Sequence, residues 1–343
     1  MATSRGIDVP IIDLAQTATP GDRRRLVEAV DRAASQVGFM QVVGHGVPHS
    51  AIDQLTRAMD GFFALPGSVK AKYRTDPSIN RGYTPTRAER LSLSLGVLSA
   101  ADLFEAFNVG AQSGDHPGAN LPERHYPANI WPTEVDGFRR AVSGWFDAAA
   151  AVARRITGVF ALALDLPADH FAQVQDHSID VLRLNNYAVP AGEAELQDGQ
   201  LGMGAHTDYG IVTVLWADDV PGLQLLGPDG AWCDVRPADG ALLVNLGDLL
   251  ARWTNDRWTS TMHRVVAPRD ADGNLIRRRS AAFFHDGRHD ALISCLPNCT
   301  DRSNPPRYAP ITVEDHLAAK LAGSRGGKPN TGAVEARRLT TTR

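Results

Sequence analysis

Two textures of hydrophobic patterning succeed one another along the chain. Up to about residue 165 apolar positions recur mostly at helical spacing, and from about residue 179 they fall in short β-branched runs separated by turn residues. In the first part, VPIIDL (9–14) reads as an edge strand and FMQVV (39–43) as a second strand. Between them, residues 23–38 place Leu26, Val27, Val30, Ala33, Ala34 and Val37 at helical spacing. A further helix is expected over 49–64, and a long helix or helix pair over 132–164. In the second part the strands VLRLNNYAV, IVTVLW, LQLL, WCDV, ALLVNL, HRVVA and SAAFF follow one another closely. Pro-Gly at 221–222 and Asp-Gly at 229–230, 239–240, 272–273 and 286–287 mark corners between them. The pattern predicts a mainly β fold with flanking helices, an antiparallel sandwich or jelly roll on which the N-terminal helices pack. The Gly-, Arg- and Thr-rich residues 323–343 read as a flexible tail or a lid.

Bulk properties narrow the function classes. The 343 residues suffice for one large or two modest domains. A formal charge of −4 with scattered arginines provides no basic field for nucleic acid. No apolar run is long enough for a membrane span, and the N-terminus lacks the pattern of a secretory signal. Cys233, Cys295 and Cys299 form no CxxC pair and read as reduced thiols, so a cytoplasmic protein is expected, with a monomer compatible with everything seen.

The stretch GAHTDYGIVTVL (204–215) is where chemistry enters. On one continuous strand, His206 and Asp208 at i and i+2 would project to the same side. His263 opens the strand-like HRVVA, which a jelly roll can bring alongside. Two imidazoles and a carboxylate form a facial set that suits Fe(II) and leaves positions open for reactants. With eleven histidines in the chain, an HxD and a distant His are weak evidence alone. A second pattern strengthens it: Arg278 and Ser280 share a strand face, and so do Asn185 and Tyr187. A guanidinium pointed into a barrel needs an anion, and a small dicarboxylate spanning metal and Arg278 would satisfy it.

These residues, in this order, resemble the iron(II)- and 2-oxoglutarate-dependent oxygenases of the isopenicillin N synthase type. The resemblance covers roughly residues 8–322 and rests on VPIIDL, GFMQVVGHGVP, RGYTP at 81–85, NNY at 185–187, HTD at 206–208, VNLGDLLARWTNDRW at 244–258, STMHRVV at 260–266 and RRSAAFF at 278–284. It implies a double-stranded β-helix core and a division into an N-terminal region (1–130), a long helical segment (131–178), the catalytic core (179–295), a C-terminal helical extension (296–322) and the tail (323–343). It further implies Fe(II) held by His206, Asp208 and His263, and 2-oxoglutarate held by Arg278 and Ser280 with help from Tyr187 and Asn185. The implied reaction consumes dioxygen, turns 2-oxoglutarate into succinate and CO2, and oxidises a C–H bond of a small molecule. Because related halogenases lack the carboxylate ligand, Asp208 directs the expectation to hydroxylation, then desaturation or ring closure. Two alternatives stand beside it: an oxidase of the same fold in which Arg278 grips the substrate's own carboxylate, and a jelly-roll binding protein without catalysis. The intact motif set weighs against the second, and Tyr187 with Asn185 against the first.

Other polar residues have plainer readings. His45 and His49 flank a turn, Trp253 and Trp258 pack, Cys233 is a small buried hydrophobe, and Arg264, facing away from His263, makes a structural ion pair. Asn245, Gly247 and Asp248 read as turn chemistry. The two His-Asp pairs of FHDGRHDALI (284–293) read as loop or lid residues. Substrate contacts are expected from Arg81, Tyr83, Phe104, Phe107, Tyr209 and Trp216, and an Ala- and Arg-rich, Lys-poor composition fits a bacterial secondary-metabolite or amino-acid-derived substrate.

Overall fold

The structure is a computed structural model that describes residues 7–76, 78–188, 200–270, 272, 274–325, 327, 329 and 330. The N-terminal part runs through β1 (Ile11–Asp13), α1 (Pro20–Gln36), β2 (Phe39–Val43), α2 (His49–Phe63), the short α3 (Gly67–Lys70), β3 (Gly82–Thr84) and β4 (Glu105–Gly110). Then come α4 (Phe138–Ala163) and α5 (Ala172–Gln175). The strand-rich part contains β5 (Val181–Tyr187), β6 (Met203–His206), β7 (Val212–Ala217), β8 (Leu223–Leu226), β9 (Trp232–Asp234) and β10 (Leu242–Leu246). After α6 (Asp248–Trp253) follow β11 (His263–Val265), β12 (Arg278–His285), β13 (Leu292–Ile293), β14 (Ile311–Thr312) and α7 (Val313–Ser324).

Eight strands form one sheet in the order β1-β2-β10-β7-β12-β5-β4-β3, and four form a second, β6-β11-β8-β9. The N-terminal strands thus extend both edges of the large sheet, so the expected boundary near residue 130 does not separate two bodies in space. Alternation along the strands explains how the large sheet serves two cores. Val212, Val214, Leu242, Val244, Leu246, Leu182, Leu184 and Phe283 join the cluster containing α1, α2 and α4. Their odd-numbered neighbours on β5, β7 and β10 face the small sheet, where Phe39, Phe104, Tyr187, Met203, Leu225 and Val265 form a second cluster. Because both faces are covered, these strands read as near-continuous apolar runs, interrupted only where a polar side chain faces inward.

Three expectations shift. The long helix begins at Phe138 rather than near 132, entered through Gly137 at φ 72°, a left-handed conformation that glycine adopts without strain. The C-terminal extension is α-helical only over Val313–Ser324, preceded by a single 3-10 turn at Pro297–Cys299, since prolines 305, 306 and 310 break the stretch before it. Gly323 and Ser324, assigned to the tail, are the buried end of α7, and Asn330 N–H donates to Leu93 O at 2.9 Å; residues 331–343 lie outside the described part. Among the described residues, no helix is long and apolar enough to cross a membrane. Cys295 and Cys299 are free thiols.

Candidate active site

His206 and His263 face each other across the pairing of β6 with β11, ring centroids 4.3 Å apart. Asp208 arrives differently from the expectation. β6 ends at His206 and the chain resumes as β7 only at Val212, in the other sheet, so Asp208 sits in the connection rather than on a common strand face. Its position is set by the large sheet instead. Thr213 and Asn245, cross-strand partners on β7 and β10, donate their side-chain O–H and N–H to Asp208 Oδ2 at 2.5 and 2.6 Å. Asn245 is therefore a strand residue aimed at the carboxylate, not turn chemistry. The remaining oxygen, Oδ1, stands 3.8 Å from His206 Nε2 and 3.7 Å from His263 Nε2.

Both imidazoles are oriented by their other nitrogen. Nδ1 of His206 donates to Gly204 O at 2.8 Å and Nδ1 of His263 to Thr261 O at 3.1 Å. A carbonyl oxygen only accepts, so each Nδ1 carries a proton, and in the neutral ring the lone pair is on Nε2. Burial first, and then the neighbouring His263, push His206 down to about 3, which keeps that lone pair free. Three donor atoms converge with every back-side atom engaged, as a metal centre with a completed outer shell requires.

The backbone around Asp208 is held as closely. Asp248 N–H donates to Asp208 O at 2.8 Å, and Thr207 Oγ1 donates to Asp248 Oδ2 at 2.9 Å. Asp248 in turn meets Lys320 of α7 at 2.8 Å, both side chains fully buried. A Cβ on Gly247 would lie 2.1 Å from Gly210 O, so the two chains touch backbone to backbone there.

These donors open into a cavity of about 570 Å³. In its wall β12 and β5 pair with Arg278 opposite Tyr187 and Ser280 opposite Asn185. The buried Arg278 guanidinium lies over the Tyr187 ring at 5.2 Å, its Nε donates to Val220 O at 3.2 Å, and among the described residues Nη1 has no hydrogen-bond partner. Asn185 Nδ2 donates to Ser280 Oγ at 3.3 Å. Burial raises the Tyr187 hydroxyl above its ordinary value, so it stays a neutral donor.

Of the expected substrate contacts, Arg81 and Tyr209 line this cavity. The other four do not. Trp216 follows Val212 and Val214 on the helix-facing side of β7, and Phe107 packs with Phe62 and Phe138. Tyr83 donates to Glu105 Oε2 at 2.6 Å, and Phe104 supports the Arg183 guanidinium at 4.9 Å. Sequence periodicity marked the strands but not which parity faced inward. It also left out Glu89, Arg183, Arg325 and the apolar α7 residues Leu317 and Leu321, which line the same space. Arg183 was detectable, being in register with Asn185 and Tyr187 at i+2 and i+4.

The plain readings fare variously. Trp258 is fully buried, and His45 ties Gly240 O and Val47 N–H in a turn. Arg264 stacks on Trp232 at 4.1 Å and donates to Gln224, and among the described residues it forms no ion pair within contact distance. FHDGRHDALI is not a loop throughout: His285 ends β12 and pairs with Asp180 at 3.0 Å, and Asp286 packs against Gly210. His289 stacks on His125 at 4.5 Å beside Glu314, whose Oε2 is 2.6 Å from His125 Nε2 and 3.1 Å from Arg124 Nη2. With a guanidinium already there, that mouth cluster is an ion-pair latch on α7.

Comparison with known proteins agrees with this geometry. Residues 9–134 match the family described as non-haem dioxygenase in morphine synthesis N-terminal, and residues 179–287 match the 2OG-Fe(II) oxygenase superfamily. The chain is 35% identical over 328 residues to the 2-oxoglutarate-Fe(II) type oxidoreductase hxnY of Emericella nidulans, covering 92% of this chain and 90% of that protein. It is 32% identical to the proline hydroxylase buaE of Petromyces alliaceus, with 84% and 90% covered. The crystal structure of a full-length Neurospora crassa protein in complex with alpha-KG superposes with a TM-score of 0.81 at 28% identity, covering 94% of this chain and 98% of that one. With the match running through the N-terminal part and the strand-rich part alike, this chain belongs to the 2OG-Fe(II) oxygenase superfamily and is a 2-oxoglutarate- and Fe(II)-dependent dioxygenase that acts on a small molecule.

Proposed function

We propose that His206 Nε2, Asp208 Oδ1 and His263 Nε2 hold the iron, and that Arg278, Ser280 and Tyr187 hold the distal carboxylate of 2-oxoglutarate. The observation that carries this reading is the pairing of a finished donor set with an unfinished cation. All back-side atoms of the three donors are engaged, while Arg278, buried in the same cavity, has an orphaned Nη1. A buried guanidinium without a counter-ion costs several kcal/mol, which a carboxylate in this wall removes. Asn185, tied to Ser280 and two residues along β5 from Tyr187, is assigned to the metal-bound end of the co-substrate.

When bound, the iron supplies dioxygen activation coupled to conversion of 2-oxoglutarate into succinate and CO2. The chain's own residues do the rest by placement. The Arg278 fork sets the depth and direction of the co-substrate, and the Nδ1–carbonyl bonds fix both imidazole planes. Leu317 and Leu321 of α7 roof the cavity and exclude water from the reacting C–H bond. Hydroxylation is the outcome this set favours, with desaturation or ring closure at the same site. Relatives named proline hydroxylase and validamycin A dioxygenase support an amino-acid-derived or secondary-metabolite substrate.

Anaerobic titration of the metal-free protein with Fe(II) and then 2-oxoglutarate tests the assignment. The visible charge-transfer band of the chelate is expected in the wild type and is lost in Asp208→Ala and His263→Ala with far-UV circular dichroism unchanged. A full band in either variant removes the ligand assignment.

A further inference from the structure

Besides Arg278, the cavity wall carries a group of arginines with more positive charge than its own acid balances. Arg81, Arg183 and Arg325 line it, and Glu89 is the acid among them. Glu89 is consumed: Oε2 takes Arg183 Nη2 at 2.8 Å and Oε1 takes Arg325 Nε at 3.1 Å. Burial alone would raise its pKa, but the two arginines outweigh burial and hold it low, so it is a carboxylate. Arg183 is also spent, its Nε donating to Asn185 Oδ1 at 3.1 Å and its face resting on Phe104. The remaining acids lining the cavity serve elsewhere. Asp208 faces the histidines, Asp286 packs on Gly210, and Glu314 is latched to Arg124 and His125 at the mouth.

That leaves Arg81, and Arg325 beyond the Nε that meets Glu89. Arg81 is buried; among the described residues its Nη1 and Nη2 donate only to the backbone oxygens of Asn80 and Ala111, and its Nε has no partner. Its guanidinium packs on bare backbone, where a Cβ on Gly110 would lie 2.5 Å away. Among the described residues, no carboxylate lies within ion-pair distance of it. Arg325 is close enough to depress it, with burial as the larger cause, to about 10. Two cations sharing a low-dielectric wall repel each other unless an anion is placed between them. The iron, its Asp208 ligand, 2-oxoglutarate and Arg278 together carry no net charge, so the co-substrate does not supply that anion.

We propose that the substrate is a carboxylate anion with an apolar body, its carboxylate received by Arg81 and Arg325 and its body lying under Leu317 and Leu321 of α7. This rests on the reading that the same cavity holds Fe(II) and 2-oxoglutarate, and it names the chemical class of the molecule that is oxidised. Arg81 was expected among the substrate contacts, but its charge role comes from the structure, as does Arg325.

The test uses the Fe(II)–2-oxoglutarate protein under anaerobic conditions, after its charge-transfer band has been recorded. A panel of aryl, indolyl and alkyl acetic acids, each matched with its neutral amide, is titrated while the band is watched for the perturbation a neighbouring ligand causes. At least one acid is expected to bind tenfold or more tighter than its amide. Arg81→Met and Arg325→Met are each expected to erase that preference while the band itself persists, and Arg81→Lys to restore part of it. If no acid outbinds its amide, or if the preference survives in whichever of the two variants folds, the proposal is overturned. Loss of the band in the wild type would instead overturn the site assignment, so the two failures are distinct.

Discussion

The side-chain amide of Asn245 donates to Asp208 Oδ2 at 2.6 Å, leaving Oδ1 alone facing the two imidazoles. This bond fixes which carboxylate oxygen is offered. Asn245→Ala should leave Thr213 as the sole side-chain donor to Oδ2 and weaken Fe(II) binding by about 10–100-fold, the usual scale for removing an outer partner of a ligand. Anaerobic Fe(II) titration measures it; affinity within twofold of wild type would show that Thr213 and the backbone suffice.

Arg278→Ala should weaken 2-oxoglutarate binding by about 2–5 kcal/mol, the scale for truncating one partner of a buried charge pair. Arg278→Lys should recover part of this but not the bidentate fit. The concentration dependence of the charge-transfer band reads both, and an unchanged midpoint would place the distal carboxylate elsewhere.

Lys320→Met should destabilise the fold by about 3–5 kcal/mol, because it strips a buried ammonium from Asp248. Replacing both as Lys320→Met/Asp248→Leu should cost less than the single change if the uncompensated charge is the cause. Urea unfolding of the metal-free proteins gives both values.

Acid sensitivity has an identifiable source in α7. Burial, with Lys320 and Arg252 adding to it against Asp248, pushes His316 down to about 4. The unfolded chain, with an ordinary value near 6.5, therefore binds a proton that the folded chain refuses. Stability from this group is present above about pH 6.5 and is lost as pH falls toward 4, by a few kcal/mol in all. His316→Leu should flatten the stability–pH slope across that window in the metal-free protein. An unaltered slope would assign the loss to other groups.

How much of this was legible beforehand depended on whether information was local. Strand positions, the His206–Asp208–His263 set and the Arg278–Ser280 and Asn185–Tyr187 pairs follow from period-2 spacing and motif order. The break after His206 did not, because GAHTDYGIVTVL has the hydrophobicity of one strand and only pairing reveals that its two ends belong to different sheets. Asn245 was misread for a similar reason: beside Gly247 and Asp248 it resembles a turn, but its partner Thr213 is distant in sequence. Trp216 and Phe107 are expected among the substrate contacts, whereas strand parity turns them toward α4 and α2. Arg325 lies beyond the strand-rich part, in residues that composition alone marked as tail.

The split of the proposed metal ligands between the two sheets has a mechanical consequence. His206 and His263 belong to the small sheet, while Asp208 is pinned by Thr213 and Asn245 of the large one. An ion bound by all three acts as a rivet through the sandwich, opposing any sliding of one layer over the other. Loading it should slow amide exchange in β6 and β11 together with β7 and β10, so the protein's rigidity becomes a readout of its iron content.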